Sequence, residues 1–293
     1  MATKPLFLAW AFGAVLLAAS AAFTVFAGVP ADAVARETVP GRSEVLGHRP
    51  AVVEEGKREE HGGKTMKLMT YNIRHGLGMD DRWNLWRTAE VLRNAAPDVA
   101  TLQEVDRGTC RSYGADEPSV LVCLLDPLFR FNRFSKSIDY DSGAYGNAML
   151  SREEPLSTKI IPLPGDEPRS LLLCEFDGYF VGTAHLALEE NQALASIPII
   201  VQAVQGAEKP VFLTGDWYFE PDSPVLAEIG KHFAILSPTN VKTWPSDKPT
   251  ECIDYIAVDR AHADKVEVRS VGPIDDRMTS DHLPMFLSCE IRP

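Results

Sequence analysis

Between Met66 and Pro293 one short apolar run of β-type composition follows another, and these runs carry acids, amides or imidazoles where they give out. KLMTYN ends on Asn72, DVATLQEV contains Glu104, YFVGTAHLAL contains His185 and KPVFLTGD closes on Asp216. Asp254 lies in CIDYIAVD, and Asp281-His282 stand beside PMFLSCEI. Taken singly, each has a structural reading: a Gly-Asp is often a turn, an Asn a cap, a lone His a satisfied polar residue. Taken together they predict one site, because rigid strands hold chemical groups in fixed geometry where they reach the surface.

The same stretch predicts a single α/β domain over residues 66–293. WNLWRTAEVLRNAA places Trp83, Trp86, Ala89, Val91 and Leu92 at helical spacing, and Pro97 stops it. A second helix is expected over about 189–207. Strand-like segments are LDPLFRFNRF, YGNAMLS, TKIIPLP, RSLLLCEF and KVEVRSV, besides those above. Strand follows strand through the middle of the chain. That order favours two mainly antiparallel sheets packed face to face, with helices outside, over a doubly wound sheet.

Residues 1–31 read as a targeting segment. One Lys precedes an apolar run that meets no charge until Asp32, the layout of a secretory signal, and the run is long enough to cross a bilayer. Two readings stay open: a signal cleaved near Ala33-Val34-Ala35, or an uncleaved N-terminal membrane anchor. Both place the domain outside the cytoplasm, whether periplasmic, secreted or membrane-anchored. Residues 32–65, with VEEGKREEHGGK, have the composition of a disordered linker. Of five cysteines, Cys110 and Cys123 flank a short segment and either close a loop as a disulfide or stay free. Cys174, Cys252 and Cys289 lie in or beside apolar strands, as buried thiols do.

Charge bears on the substrate. Lys plus Arg number 29 against 41 Asp plus Glu, a net charge of −12. Residues 1–65 hold seven of each sign, so the whole excess lies in the domain. That balance gives no general electrostatic grip on nucleic acid. An anionic substrate must be held by local features: a metal ion, or a few placed Arg and His residues.

LMTYNIRHG, LQEVD, YGNAMLSR, GTAHLAL, LTGDWY, TWPSDKPTECIDYIAVD and SDHLPM occur here in the order found in the endonuclease/exonuclease/phosphatase family of DNase I-like, metal-dependent phosphoesterases. The resemblance covers Met66–Pro293 and is closest to the exported bacterial members. It implies a four-layered α/β/β/α sandwich and a hydrolase of phosphodiesters or phosphomonoesters that uses Mg²⁺ or Mn²⁺. By this resemblance Glu104 is the principal metal ligand, and Asn72 and Asp281 complete or border its site. Mg²⁺ prefers oxygen ligands and needs one or two carboxylates. Asp216 corresponds to the aspartate that orients the attacking water. Asp254 and His282 correspond to a pair whose imidazole contacts the phosphoryl oxygen, and His185 to a phosphate-contacting residue of the middle strand. Asn147 and Arg169 are expected in the site wall, with a structural salt bridge as the alternative for Arg169. His75 is expected at the pocket rim or in a loop.

One position departs from the family. Gly215-Asp216 is followed by Trp217-Tyr218, where the family has Asn in place of the tyrosine. Tyr218 supplies no amide, although its hydroxyl can donate one hydrogen bond. Three readings follow: activity with changed substrate preference, weakened activity, or a catalytically impaired binding module. The acidic domain favours a small phosphoester or a lipid head group over duplex DNA, with an exported nuclease as a further alternative. A monomer is expected, tied to the membrane if the N-terminal segment is retained.

Overall fold

The computed structural model describes residues 63–293. The expected targeting segment and most of the expected linker lie outside the described residues. Among the described residues no helix is long and apolar enough to cross a membrane.

Two six-stranded sheets make up the domain. The first contains β1 (Lys64–Asn72), β2 (Val99–Arg107), β3 (Phe131–Tyr140), β4 (Gly143–Ser151), β11 (Val266–Pro273) and β12 (Met285–Ile291), in the order β11-β12-β1-β2-β4-β3. The second contains β5 (Ser157–Leu163), β6 (Arg169–Phe176), β7 (Tyr179–Ala184), β8 (Val211–Asp216), β9 (Phe233–Ile235) and β10 (Asp254–Asp259), in the order β5-β6-β7-β8-β10-β9. Each sheet has one parallel pair, β1 with β2 and β7 with β8, and is otherwise antiparallel. β1 starts two residues before the expected domain boundary, because Lys64 already pairs with Ile291.

Alternation along the strands explains the layers. In β1, Met66 and Leu68 point to a core between the sheets, while Met69 and Tyr71 point to the opposite face. That opposite face is covered by α1 (Leu85–Ala95) and α2 (Glu117–Leu125) through Leu85, Ala89, Leu92, Leu121 and Leu125. On the second sheet, Phe212 of β8 faces inward, whereas Val211 and Leu213 meet α3 (Glu190–Val204) and α4 (Pro224–His232). Both sheets are therefore apolar on both faces, and helix–sheet–sheet–helix is the arrangement that buries all four. α2, α4 and β9 are elements that the sequence patterns leave unmarked.

The inner faces change character along the strands. Met66 and Leu68 give way to Thr70 and Asn72 on β1; Phe212 gives way to Thr214 and Asp216 on β8. Val181 gives way to Thr183 and then His185, and Met149 to Asn147. The threonine level is tied across the sheets. Thr101 and Thr214 share a hydrogen bond of 2.8 Å, and the Gln103 amide donates to Thr70 and Thr183. Buried polar groups are tolerated when bonded in this way. One edge of the sandwich is thus polar by strand periodicity, and the chemistry collects there.

Candidate active site

Four backbone features bring the groups together. Asn72 ends β1 beside Gln103 of the parallel strand β2. Glu104 does not end its strand, as the sequence reading had it, but lies inside β2. There the register with β4 shifts between Leu102 and Val105, and Glu104 takes φ of 56°. Such a bulge re-aims a side chain out of the pleat, at a conformational cost for a residue that is not glycine. Asp254 likewise opens β10 instead of closing a strand. β10 runs antiparallel to β8, so Asp254 sits directly opposite Asp216. Gly215 allows β8 to pass β7, because a Cβ there would lie 1.9 Å from the Ala184 carbonyl oxygen.

The side chains form a connected cluster. Asn72 Nδ2 donates to Glu104 Oε1 at 3.1 Å and to Asp216 Oδ2 at 3.0 Å, and its Oδ1 accepts from Arg74 N at 3.1 Å. His282 Nδ1 is 2.9 Å from Asp254 Oδ2, and its Nε2 faces Asp216 Oδ2 at 3.5 Å. His185 Nε2 lies 3.4 Å from the same Asp216 oxygen, without hydrogen-bond geometry. Ser280 donates to the Asn72 carbonyl at 2.7 Å and thereby fixes the loop carrying Asp281 and His282. Asp216, Asp254 and His282 bring ligating atoms within 4.8 Å of one another, a cluster in which a cation would have to displace the proton on His282.

Electrostatics divide the labour of the two imidazoles. Burial disfavours a charge on His282, but the Asp254 and Asp216 carboxylates outweigh it and carry its pKa up to about 10. Two facing carboxylates on adjacent strands repel, and this imidazolium is the charge that compensates them. His185 is pushed the other way, well below its usual value, by burial and by the charges of Arg169 and His282. It is a neutral ring. Burial also raises the Asp216 and Glu104 carboxyls.

The His282 shift carries a stability consequence. A pKa raised in the folded state contributes stability that is complete below the unfolded value near 6.5 and is lost as pH rises through about 10. In the metal-free protein the melting temperature should therefore fall across that window. His282→Gln should remove the part of the slope lying between pH 7 and 10, and an unchanged slope would refute the assignment.

The wall residues are placed as follows. Asn147 donates to the Ser170 carbonyl across the sheets at 3.1 Å. Arg169, 6% exposed, is bound by Glu167 at 3.1 Å, the salt bridge that was the structural alternative. Its guanidinium also stands 5.9 Å above the Tyr218 ring. Tyr218 stacks on His185 with centroids 4.8 Å apart, and its N–H donates to Asp216 Oδ1. Its φ of 62° is left-handed, a conformation Asn adopts more readily than Tyr. His75 has φ of 42° and a buried, unpartnered Nδ1, in the field of Arg111, Asp106, Arg74 and Asp281. Asp281 Oδ2 is 3.9 Å from Arg74 Nε. Cys110 and Cys123 are free, both exposed: Cys110 is tied by its N–H to the Asp141 carbonyl while Cys123 rides on α2. Tyr145 and Ser280 stand in the YGNAMLSR and SDHLPM motifs without being singled out there, and Arg111 lies outside every motif. Tyr145 was open to detection, since it shares the strand parity of Asn147 and Met149.

Residues 69–282 match the Endonuclease/Exonuclease/phosphatase family, so this chain belongs to that family of phosphoesterases. Comparison with curated proteins gives no match. Among solved structures, an endonuclease/exonuclease/phosphatase from Beutenbergia cavernae is 23% identical, with a TM-score of 0.64, over 78% of this chain and 72% of that one. A mannosyl-6-phosphatase from Bacteroides thetaiotaomicron is 14% identical, with a TM-score of 0.56, over 76% and 99% of the two chains. The human nocturnin catalytic domain with bound sulfate is 18% identical, with a TM-score of 0.56, over 78% and 98%. At these identities the likeness establishes the DNase I-like sandwich.

Proposed function

We propose that this protein is a divalent-metal-dependent hydrolase of phosphoric esters. The observation that carries the reading is His282, held protonated by Asp254 and facing Asp216, with Asn72 linking Asp216 to Glu104. The mannosyl-6-phosphatase among the structural neighbours is in keeping with it.

The donor chemistry suits a hard cation. Glu104 is half-buried, its carboxyl rises on desolvation, and Asp281 acts on it from nearby. Paired carboxylates drawn from water call for a cation, and oxygen donors select Mg²⁺ or Mn²⁺. Glu104 and Asp281 would hold the ion. Asn72, whose nitrogen faces Glu104, borders that site. When bound, the ion neutralises phosphoryl oxygens.

The chain's own residues supply the rest. Asp216 orients a water and takes its proton. The water oxygen bonds to phosphorus, the bond from phosphorus to the ester oxygen breaks, and the departing alkoxide takes a proton from solvent, to which Asp216 returns the one it took. The imidazolium of His282 donates from Nε2 to a phosphoryl oxygen, and Asp254 keeps Nδ1 occupied and the ring oriented. Neutral His185 offers a further contact. The N-terminal layout supports an exported domain, and nothing in this chemistry needs a second copy of the chain.

The test is turnover of a phosphodiester and a phosphomonoester with Mg²⁺, with Mn²⁺ and with a chelator. Metal-dependent hydrolysis that disappears in Glu104→Ala is the expected result. No hydrolysis with either metal would leave the impaired binding module, for which Tyr218 is the supporting residue.

A further inference from the structure

Two arginine–tyrosine couples stand around Glu104. On the second sheet, the Arg169 guanidinium lies over the Tyr218 ring at 5.9 Å. On the first sheet, Arg111 lies 5.4 Å from the Tyr145 ring and 4.4 Å from the Tyr140 ring. Both arginines are anchored. Asp106, fully buried, accepts from Arg111 Nε and Nη2 at 2.6 and 2.8 Å, and Glu167 holds Arg169 Nη1 at 3.1 Å. Arg169 Nε is buried and has no partner.

Tyr145 belongs to the site by strand periodicity. Met149, Asn147 and Tyr145 succeed one another on the inner face of β4, from the core toward the polar edge. The charge of Glu104 acts on both phenols, and Tyr145 lies in the field of Tyr218 and Arg169 as well. The Tyr145 hydroxyl has no hydrogen-bond partner among the described residues.

We propose that Tyr145 and Tyr218, each backed by its arginine, form a subsite for the third non-bridging oxygen of a terminal phosphate, which makes the enzyme selective for phosphomonoesters over phosphodiesters. A diester presents two non-bridging oxygens and one negative charge. A monoester presents three, and near neutral pH it approaches two charges. His282, with a cation held by Glu104 and Asp281, would serve two oxygens. Two phenol donors and two fixed guanidiniums then exceed what a diester accepts, and they match what a dianion adds. In a domain whose net charge is −12, the guanidinium donors that Asp106 and Glu167 leave unused are the local feature that a dianion requires. Tyr218 gains a meaning from this. A phenol carries its donor farther from the backbone than an amide does, so the departure at this position moves the contact to another substrate oxygen.

This selectivity rests on the site being a phosphoester hydrolase, and the test separates the two. Tyr145→Phe and Tyr218→Phe keep the rings, and with them the stack on His185 and the contacts with the arginines. The full chain with Mg²⁺ is assayed on 4-nitrophenyl phosphate and bis(4-nitrophenyl) phosphate, and binding of inorganic phosphate is measured by calorimetry. The wild type should favour the monoester. Each substitution should lower the monoester-to-diester ratio of kcat/KM, and weaken phosphate binding, about tenfold, as expected for one lost hydrogen bond to a charged group. A wild type that prefers the diester, or a ratio and a phosphate affinity unmoved in both variants, overturns the subsite. Weakened phosphate binding with neither ester turned over supports the subsite and overturns the hydrolase reading.

Discussion

His282→Ala is expected to lower kcat for phosphoester hydrolysis by about 10³-fold, within the range for loss of a positioned proton donor or oxyanion partner. The size follows from the surroundings of the ring. His282 is buried, its Nδ1 is bound to Asp254 at 2.9 Å, and its Nε2 faces Asp216 at 3.5 Å. Alanine removes the donor to the phosphoryl oxygen and the cation between two carboxylates that sit opposite each other on β8 and β10. Asp216, whose carboxyl burial already raises, would then face Asp254 without a compensating charge and hold a proton more readily. An Asp216 that holds a proton cannot accept one from water, so the loss should exceed that of a single contact. Asp254→Asn should lose less, because the ring keeps a hydrogen-bond partner while its charge loses support. Steady-state kinetics with Mg²⁺ and a circular dichroism control for folding decide the matter. A His282→Ala enzyme within a fewfold of the wild-type rate would remove His282 from the mechanism.

Trp217→Ala should be the most destabilising single change near the site. Trp217 is fully buried and stacks on Tyr255 with centroids 5.0 Å apart and planes 22° apart. It fills the layer between the second sheet and its helices, together with Leu186, Val225 and Leu226. Truncation of a buried Trp typically costs about 3–5 kcal/mol. For a domain of this size that corresponds to a fall in melting temperature of about 10 °C. The site should suffer with it, since Asp216 and Tyr218 are its chain neighbours. A shift of less than about 3 °C in thermal unfolding would show that the layer repacks around the loss.

Much of this organisation was legible in the residues. Period-two alternation with both faces apolar requires covering layers on both sides of each sheet, and the inner-face progression Phe212, Thr214, Asp216 marks where the site lies. The seven ordered motifs then point to the family, and the structure brings Asn72, Glu104, Asp216, Asp254 and His282 into one cluster. What was hidden is instructive. The apolar residues of α2, in PSVLVCLL, leave little contrast between its faces, so the helix reads like a strand although Asp116 caps it. Glu104 looked like the end of a strand because a bulge has no composition of its own. The facing of Asp216 and Asp254 depends on antiparallel pairing between distant segments, which local patterns do not encode. Tyr145 opens the YGNAMLSR motif on the strand parity of Asn147, but nothing in the sequence alone aims its phenol toward Glu104. The environment of Tyr218, left-handed and stacked between His185 and Arg169, is a tertiary fact that a change of residue type only hints at.

The most direct measurement follows the oxygen. The purified chain is stripped of metal, reloaded with Mg²⁺ and given a phosphate ester in ¹⁸O-water, with mass analysis of both products. Water attack on phosphorus at this cluster predicts turnover after reloading and none before, with ¹⁸O in the phosphate product and none in the alcohol. Label in the alcohol, or turnover that ignores the metal, would contradict it.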